Sequence, residues 1–375
     1  MIMKTYLDNA ATTRVAGTVM DIIKEYSTEK FGNASSLYSL GKESREAIEY
    51  SRKICADFLK CKPSEIVFTS GGTESNNLAL KGLMKEPGRN HIIVSAIEHP
   101  SVLEPARSLE KQGFRVSVVD VDKDGIIKLD QLRGKIGKDT LLVSVMHVNN
   151  ETGVIQPIEE IAALCKEKGA FFHIDAVQSF GKIPLDVRKI GCDLLSASGH
   201  KIHGPKGVGL LFIREGVRLK PLFDGGGHEL GRRSGTENVP GIAGLGEAVD
   251  LCEEWMHDLS KYQKLQVKLI DGLRNYGKLN GSQEKRIWSN VHMSFPVEAD
   301  SLVMLLDRDG IAVSTGSACS TLDKKQSHVL KALGLPEKDI KGAIRITLSY
   351  DTQEENIDYA LEKIKKCVDL LRMRS

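Results

Sequence analysis

The chain has 375 residues, with 52 Lys+Arg against 50 Asp+Glu for a formal net charge of +2, and is 41% apolar and 27% charged. These ordinary globular proportions exclude a disordered chain, and the balanced charge excludes a dedicated nucleic-acid or membrane-surface protein. At ~150 residues per domain the length predicts two to three domains, and such a chain buries roughly three-quarters of its unfolded surface without a disulfide or metal staple. The first eight residues lack the apolar core of a signal peptide, and no run approaches the ~18 apolar residues of a membrane span. The expectation is a cytoplasmic protein.

In chain order, continuous apolar runs at 66–68, 92–94, 116–119, 141–145, 171–174 and 208–213 read as buried strands. Between them, 102–111 and 158–168 space their apolar residues three to four apart, as amphipathic helices do. This alternation predicts an α/β fold with a mostly parallel sheet covered on both faces. From 247 to 275 the pattern reads as one long helix. A strand at 291–295, a helix near 301–307, a strand at 343–348 and a closing helix from 354 then predict a second, smaller α+β domain.

The seven cysteines are scattered and never form C-x-x-C, which excludes a disulfide framework or a zinc ribbon. Cys55, Cys61, Cys165, Cys192, Cys252 and Cys367 read as small buried hydrophobes. Cys319 differs, because Ser314-Thr315-Gly316-Ser317-Ala318-Cys319 is small and polar and reads as a mobile loop.

Three further stretches carry candidate chemistry. Gly71-Gly72-Thr73-Glu74 follows a strand and opens a helix, where unsatisfied amides receive an anion; a plain turn with Thr73 as N-cap reads equally well. No Walker lysine follows, and G-x-G-x-x-G is absent, so an NTPase and a Rossmann dehydrogenase are disfavoured. Asp175 ends an apolar strand, either as a helix N-cap or as a buried anion for a cationic ring nitrogen. Ser198-Gly199-His200-Lys201-Ile202-His203-Gly204 surrounds one lysine with small, constrained residues; a partly desolvated lysine forms Schiff bases with aldehydes. His200 and His203 lack a third metal ligand at helical spacing, so no metal site is expected.

An anion-binding helix start, an acid after a strand and Ser-x-His-Lys together are the order of a pyridoxal phosphate site. From this point the sequence resembles a known family, the NifS/IscS-type cysteine desulfurases of the class-V aminotransferase group. The match runs over essentially the whole chain. It includes Tyr6-Leu7-Asp8-Asn9-Ala10-Ala11-Thr12-Thr13, Phe31-Gly32-Asn33, Glu98-His99, Asn149-Asn150-Glu151-Thr152-Gly153, Gly225-Gly226-Gly227-His228-Glu229, Arg233-Ser234-Gly235-Thr236-Glu237-Asn238 and Ile344-Arg345. The form around Cys319 resembles the group with the longer catalytic loop. Ala34 stands where many relatives have proline, and the sequence stops at Ser375, short of the tail that helps some bacterial members dock a scaffold protein.

The resemblance implies a fold type I (aspartate-aminotransferase-like) architecture with a large cofactor domain over 14–256 and a small domain from 1–13 plus 257–375. It implies a homodimer that binds pyridoxal 5'-phosphate and converts L-cysteine to L-alanine and a Cys319 persulfide. The sulfur would go to an acceptor such as an iron–sulfur scaffold or a tRNA-thiolation carrier. Selenocysteine lyase activity is the near alternative; a transaminase has no use for Cys319. By the same resemblance Lys201 holds the cofactor and shuttles a proton, Asp175 pairs with its ring nitrogen, and His99 stacks on the ring. Asn150 and Gln178 bond the phenolic oxygen, and Gly72, Thr73, Ser198 and His200 hold the phosphate with Thr236 from the other subunit. Asn33 and Arg345 grip the substrate carboxylate.

Overall fold

A computed structural model describes residues 3–84, 86–315 and 326–373. Strand β1 (Thr5–Tyr6) comes first but pairs far away in sequence. The main sheet has seven strands: β2 (Ile66–Thr69), β3 (His91–Ser95), β4 (Arg115–Val119), β5 (Thr140–Met146), β6 (Phe171–Asp175), β7 (Leu194–Ser198) and β8 (Gly209–Ile213). Their order is β2-β8-β7-β6-β5-β3-β4. Only β8 is reversed, antiparallel to both β2 and β7, so the other six present their carboxyl ends at one edge. The mostly parallel sheet expected from the sequence is therefore present. Strands β3, β5, β6 and β7 are buried along their described length, apart from half-buried Phe171 at the start of β6, as a sheet covered on both faces requires.

The helices obey local chemistry. Ile158–Lys168 has Glu159 and Glu160 in its first turn, Lys166 and Lys168 in its last, and Gly169 in the left-handed conformation behind it. These charges complement the helix dipole, and the glycine closes the C-terminus. The helix Ser39–Leu59 buries Ala47, Ile48, Cys55, Phe58 and Leu59 on one face. It packs against Val239–Met256, which also contacts Gly17–Thr28.

The single long helix expected over 247–275 is two: Val239–Met256 and Leu259–Leu273. Asp258 leaves helical geometry between them (φ −128°, ψ 57°). Trp255, at the end of the first helix, is held in an aromatic cluster with His203 and Tyr350, so tertiary packing redirects the chain where periodicity alone continues it.

The C-terminal part carries a second sheet, β9 (Lys278–Leu279), β10 (Asn290–Ser294), β12 (Ser314–Thr315) and β13 (Ala343–Thr347), in the order β12-β13-β10-β9. Strand β11 (Ile311–Ala312) pairs in parallel with β1, and Thr347 N donates to Leu7 O. The N-terminal strand thus belongs with the C-terminal residues. No helix among the described residues is long and apolar enough to cross a membrane.

Candidate active site

The residues that follow β6 and β7 bond the segment 8–13, and at the carboxyl ends of the parallel strands the predicted residues gather. Asp175 is the last residue of β6 and is 4% exposed. Its Oδ1 accepts from Val177 N (3.0 Å) and its Oδ2 from Asn76 Nδ2 (2.8 Å). No lysine, arginine or histidine forms an ion pair with it among the described residues. A nearly buried carboxylate with two donors and no cation suits a protonated ring nitrogen.

Asn76 also donates to Ser101 Oγ (2.8 Å), and Ser101 N donates to His99 Nδ1 (3.1 Å) while its Oγ lies 2.8 Å from the same nitrogen. His99 is the N-cap of the helix Pro100–Glu110. The amide contact makes Nδ1 an acceptor and leaves the proton of the neutral ring on Nε2. Burial pushes the His99 pKa down; Asp175 opposes this, and Lys201 and His328 add to it. His99, Asp175 and Lys201 therefore share one electrostatic neighbourhood.

Gly71 and Gly72 open the helix Gly72–Gly82 directly after β2. The N-cap is Gly71 rather than Thr73; its φ of 143° is a conformation side chains rarely adopt. A Cβ on Gly72 would sit 2.6 Å from Val177 Cγ2 and 3.8 Å from Ser198 Cβ. The first amides of this helix thus face the ends of β6 and β7 closely, a cradle for an anion of phosphate size.

Lys201 closes a short turn, Gly199–Lys201, after β7. Its Nζ donates to Ala10 O and Ala11 O, both at 2.6 Å. Gln178 Nε2 donates to the same Ala10 O (3.0 Å). The His200 carbonyl accepts from Thr13 N and Thr13 Oγ1, and the His200 ring Nδ1 lies 3.2 Å from Thr12 Oγ1. Burial, with Lys201, Lys206 and Lys182 adding to it, holds His200 down to about 4.

On the opposite side Arg345, 3% exposed on β13, donates from Nη1 to Asn150 O (2.9 Å) and from Nη2 to Asp8 Oδ1 (2.8 Å). Its Nε is buried and has no partner among the described residues, a donor that suits a carboxylate. The β12–β13 register sets Ser314 opposite Arg345.

Not every expected residue joins this group. Asn33 is exposed, with its Oδ1 accepting from Ser35 N (2.9 Å), and makes no bond to Arg345 among the described residues. Thr73 and Thr236 are exposed. The segment bearing Thr236 is anchored by Arg52 bonding Glu229 through both Nη atoms (2.8 and 2.9 Å) and by Arg233 on Glu74 (3.0 Å). Cys319 lies outside the described residues. Of the other cysteines, all except half-buried Cys61 are buried, and burial pushes Cys61 and Cys165 up to about 12.

Sequence reasoning missed the network behind these groups: Asn76, Ser101, Asp8, Glu98, Glu151 and Lys182. Burial raises Glu98 to about 8 and Glu151 to about 7. Glu151 Oε2 accepts from Ser327 Oγ (2.5 Å), and His328 Nε2 meets Glu98 O at 2.9 Å. Acids within quoted motifs were the only available signal for the two glutamates.

The donor set fits pyridoxal phosphate: an amine, an acid for the ring nitrogen, an anion cradle and a neutral histidine converge. Comparison with known proteins agrees. Residues 5–360 match the aminotransferase class-V family. The chain is 47% identical over 377 residues to the cysteine desulfurase IscS of Methanosarcina thermophila, covering 99% of this chain and 93% of that one. The solved structure of a NifS-like protein superposes with a TM-score of 0.93 at 40% identity, covering 98% of this chain and 100% of that one. A structure described as SspA in complex with cysteine superposes with a TM-score of 0.82 at 37% identity, covering 92% and 98%. The chain belongs to the class-V aminotransferase family, among the NifS/IscS-type cysteine desulfurases.

Proposed function

We propose that the protein is a pyridoxal-phosphate-dependent cysteine desulfurase that moves sulfur from L-cysteine onto Cys319 and releases L-alanine. The observation that carries this reading is where the flanks of the Cys319 segment sit. On one side Ser314 pairs with Arg345; on the other Ser327 bonds Glu151 and His328 meets the Glu98 carbonyl, next to His99. Both flanks are fixed at the site.

When bound, pyridoxal phosphate supplies an aldehyde for an amine and a ring that draws electrons from the substrate. Lys201 is the amine that would hold it, Asp175 the acceptor for its ring nitrogen, and Asn150 and Gln178 the groups at its phenolic oxygen. The Gly72 cradle with Thr73, Ser198 and His200 would take the phosphate. Arg345 orients the substrate carboxylate; Lys201 and His99 move protons, His99 from Nε2. The Cys319 thiol and L-cysteine become a Cys319 persulfide and L-alanine, a balanced exchange in which carbon is reduced and sulfur oxidised. Only the thiolate attacks, so a base must take the Cys319 proton.

We place this chemistry in the cytoplasm and in a homodimer, with Thr236 completing the partner's phosphate site and an iron–sulfur scaffold as sulfur acceptor. The exposed, anchored segment around Thr236 supports the dimer. The division into 14–256 and 1–13 plus 257–375 is supported by the β1–β11 pairing.

The test gives L-cysteine to the wild type and to Cys319→Ser, with no reductant. Wild type releases alanine, sediments as a two-chain particle and gains about 32 Da on the Cys319 peptide, one sulfur atom held as a persulfide. Cys319→Ser retains the cofactor and loses alanine release by ~10³-fold or more, as other essential nucleophiles do. Near-normal alanine release by the variant, or the added sulfur on Cys61, overturns the assignment.

A further inference from the structure

Lys182 is a lysine in the wrong place for a surface charge. It is 6% exposed, and among the described residues it has no carboxylate partner. Its Nζ donates instead to Gln178 Oε1 at 3.2 Å. Buried lysines are almost always paired, because an uncompensated ammonium costs several kcal/mol. Burial accordingly pushes this ammonium down to about 7, with Lys201 and Arg345 pressing in the same direction and Cys252 against it.

The backbone beneath it is held from two sides. Tyr350 Oη donates to Gly181 O (2.8 Å) and Trp288 Nε1 donates to Lys182 O (2.8 Å). Gly181 has a φ of 71°, and a Cβ there would meet Ile202 Cγ2 at 2.7 Å and Cys252 Sγ at 2.9 Å. The turn is thus pressed against the residue that follows Lys201. Gln178 and Lys182 stand four apart on one side of this turn, so their side chains meet.

An amide has two ends, and what bonds the oxygen decides where the NH2 group points. The Ala10 carbonyl can only accept, and Lys182 Nζ keeps N–H donors whether charged or neutral, so Oε1 is the end that meets Lys182. Gln178 Nε2 is thereby turned to Ala10 O, the carbonyl that also receives Lys201. One Nε2 proton serves Ala10; the other remains for a group bound at Lys201.

We propose that Lys182 is a positioning residue for the cofactor pocket: its Nζ, donating to Oε1, fixes the Gln178 amide with Nε2 toward the group that Lys201 holds. This rests on the reading of Gln178 as a ligand of the phenolic oxygen. It explains why a buried amine is retained where an apolar side chain would fit more cheaply.

The experiment uses the full-length protein loaded with pyridoxal phosphate and follows release of the cofactor by its visible absorbance. Gln178→Ala and Lys182→Met should each release it ~10-fold faster, the scale of one hydrogen bond to a charged group. The double variant should match Gln178→Ala rather than multiply the two effects, because Lys182 acts through Gln178. Cofactor-free Lys182→Met should melt at or above the wild-type temperature, which separates positioning from general damage. Lys182→Leu carries the same expectations should the Met variant fail to fold. Wild-type release by the Lys182 variants, or multiplicative effects in the double variant, overturns the inference alone. Wild-type release by Gln178→Ala overturns the Gln178 reading and the inference together.

Discussion

At the scale of the residue, Arg345 shows how one side chain is committed in advance. Two of its nitrogens are tied to Asn150 O and Asp8 Oδ1, which sets the guanidinium plane, while Nε is buried without a partner among the described residues. A lysine delivers the same charge but neither the plane nor the fork. Arg345→Lys should therefore raise KM for L-cysteine and lower kcat/KM by ~10–100-fold, the loss of one or two charge-assisted hydrogen bonds. Cofactor absorbance should stay as in wild type, since Lys201 and Asp175 are untouched. Steady-state kinetics against L-cysteine reads the effect; an unchanged KM removes Arg345 from substrate binding. The same logic explains what the sequence could not show. Asp175 was legible as an acid ending an apolar strand and Lys201 as a lysine among small residues, whereas Arg345, inside its strand, was marked only by the resemblance. Asn76 and Ser101 were not legible, because their work is to bridge Asp175 to His99 across three separate elements.

At the scale of the element, β2 to β6 and the reversed β8 were readable because buried strands are unbroken apolar runs, whereas β7 was not, its run being interrupted by Ser196 and Ser198; the ends of the parallel strands located the site. Periodicity failed where neighbours decide the geometry. The helix read over 247–275 breaks at Asp258, and residues 8–13, which have no regular structure, turn out to join both halves of the site. Asp8 meets Arg345, Asn9 Nδ2 donates to Thr347 O, and Ala10 and Ala11 receive Lys201. Nothing in the spacing of Tyr6 to Thr13 announces this; the segment was marked only by its resemblance to the family. The helix Gly72–Gly82 offers a direct test of element placement. Its first residue has no room for a methyl group, because Val177 Cγ2 would lie 2.6 Å away. Gly72→Ala should push the helix start from β6 and β7, costing ~1–3 kcal/mol of stability as overpacking does. It should also weaken cofactor affinity, and Gly72→Ala/Val177→Ala should recover much of both. Denaturant unfolding and cofactor titration measure the two losses, and wild-type values in the single variant contradict the tight approach.

At the scale of the whole molecule, the buried histidines make stability depend on pH. Burial holds His91, His147 and His200 down to about 4, and His173 and His292 down to about 3. His173 is typical: it lies between Ser144 Oγ (2.8 Å) and Ser196 Oγ (2.9 Å), tying β5, β6 and β7 together with a neutral ring. In the unfolded chain each histidine titrates near 6.5, as an exposed imidazole does (~6.5). Between that value and its folded pKa the unfolded state holds a proton that the folded state refuses. Each therefore contributes stability that is present above ~6.5 and is lost as the pH falls toward 4. Glu98, raised to about 8, and Glu151, raised to about 7, act in the opposite sense: their contribution is present below ~4.5 and is lost as the pH rises. Five histidines, with His99, His203 and His328 held down in the same sense, outweigh two glutamates, so between pH 6.5 and 4.5 unfolding should take up protons. The cofactor-free protein should lose stability steadily over that interval, while above pH 7 the histidine contribution is flat. Urea unfolding at half-unit steps of pH gives the slope directly. His173→Asn, which cannot titrate, should cost stability at pH 7 yet reduce the slope by about one proton. A slope of the opposite sign, with the protein gaining stability on acidification, would mean that the glutamates rather than the histidines govern the fold's response to acid.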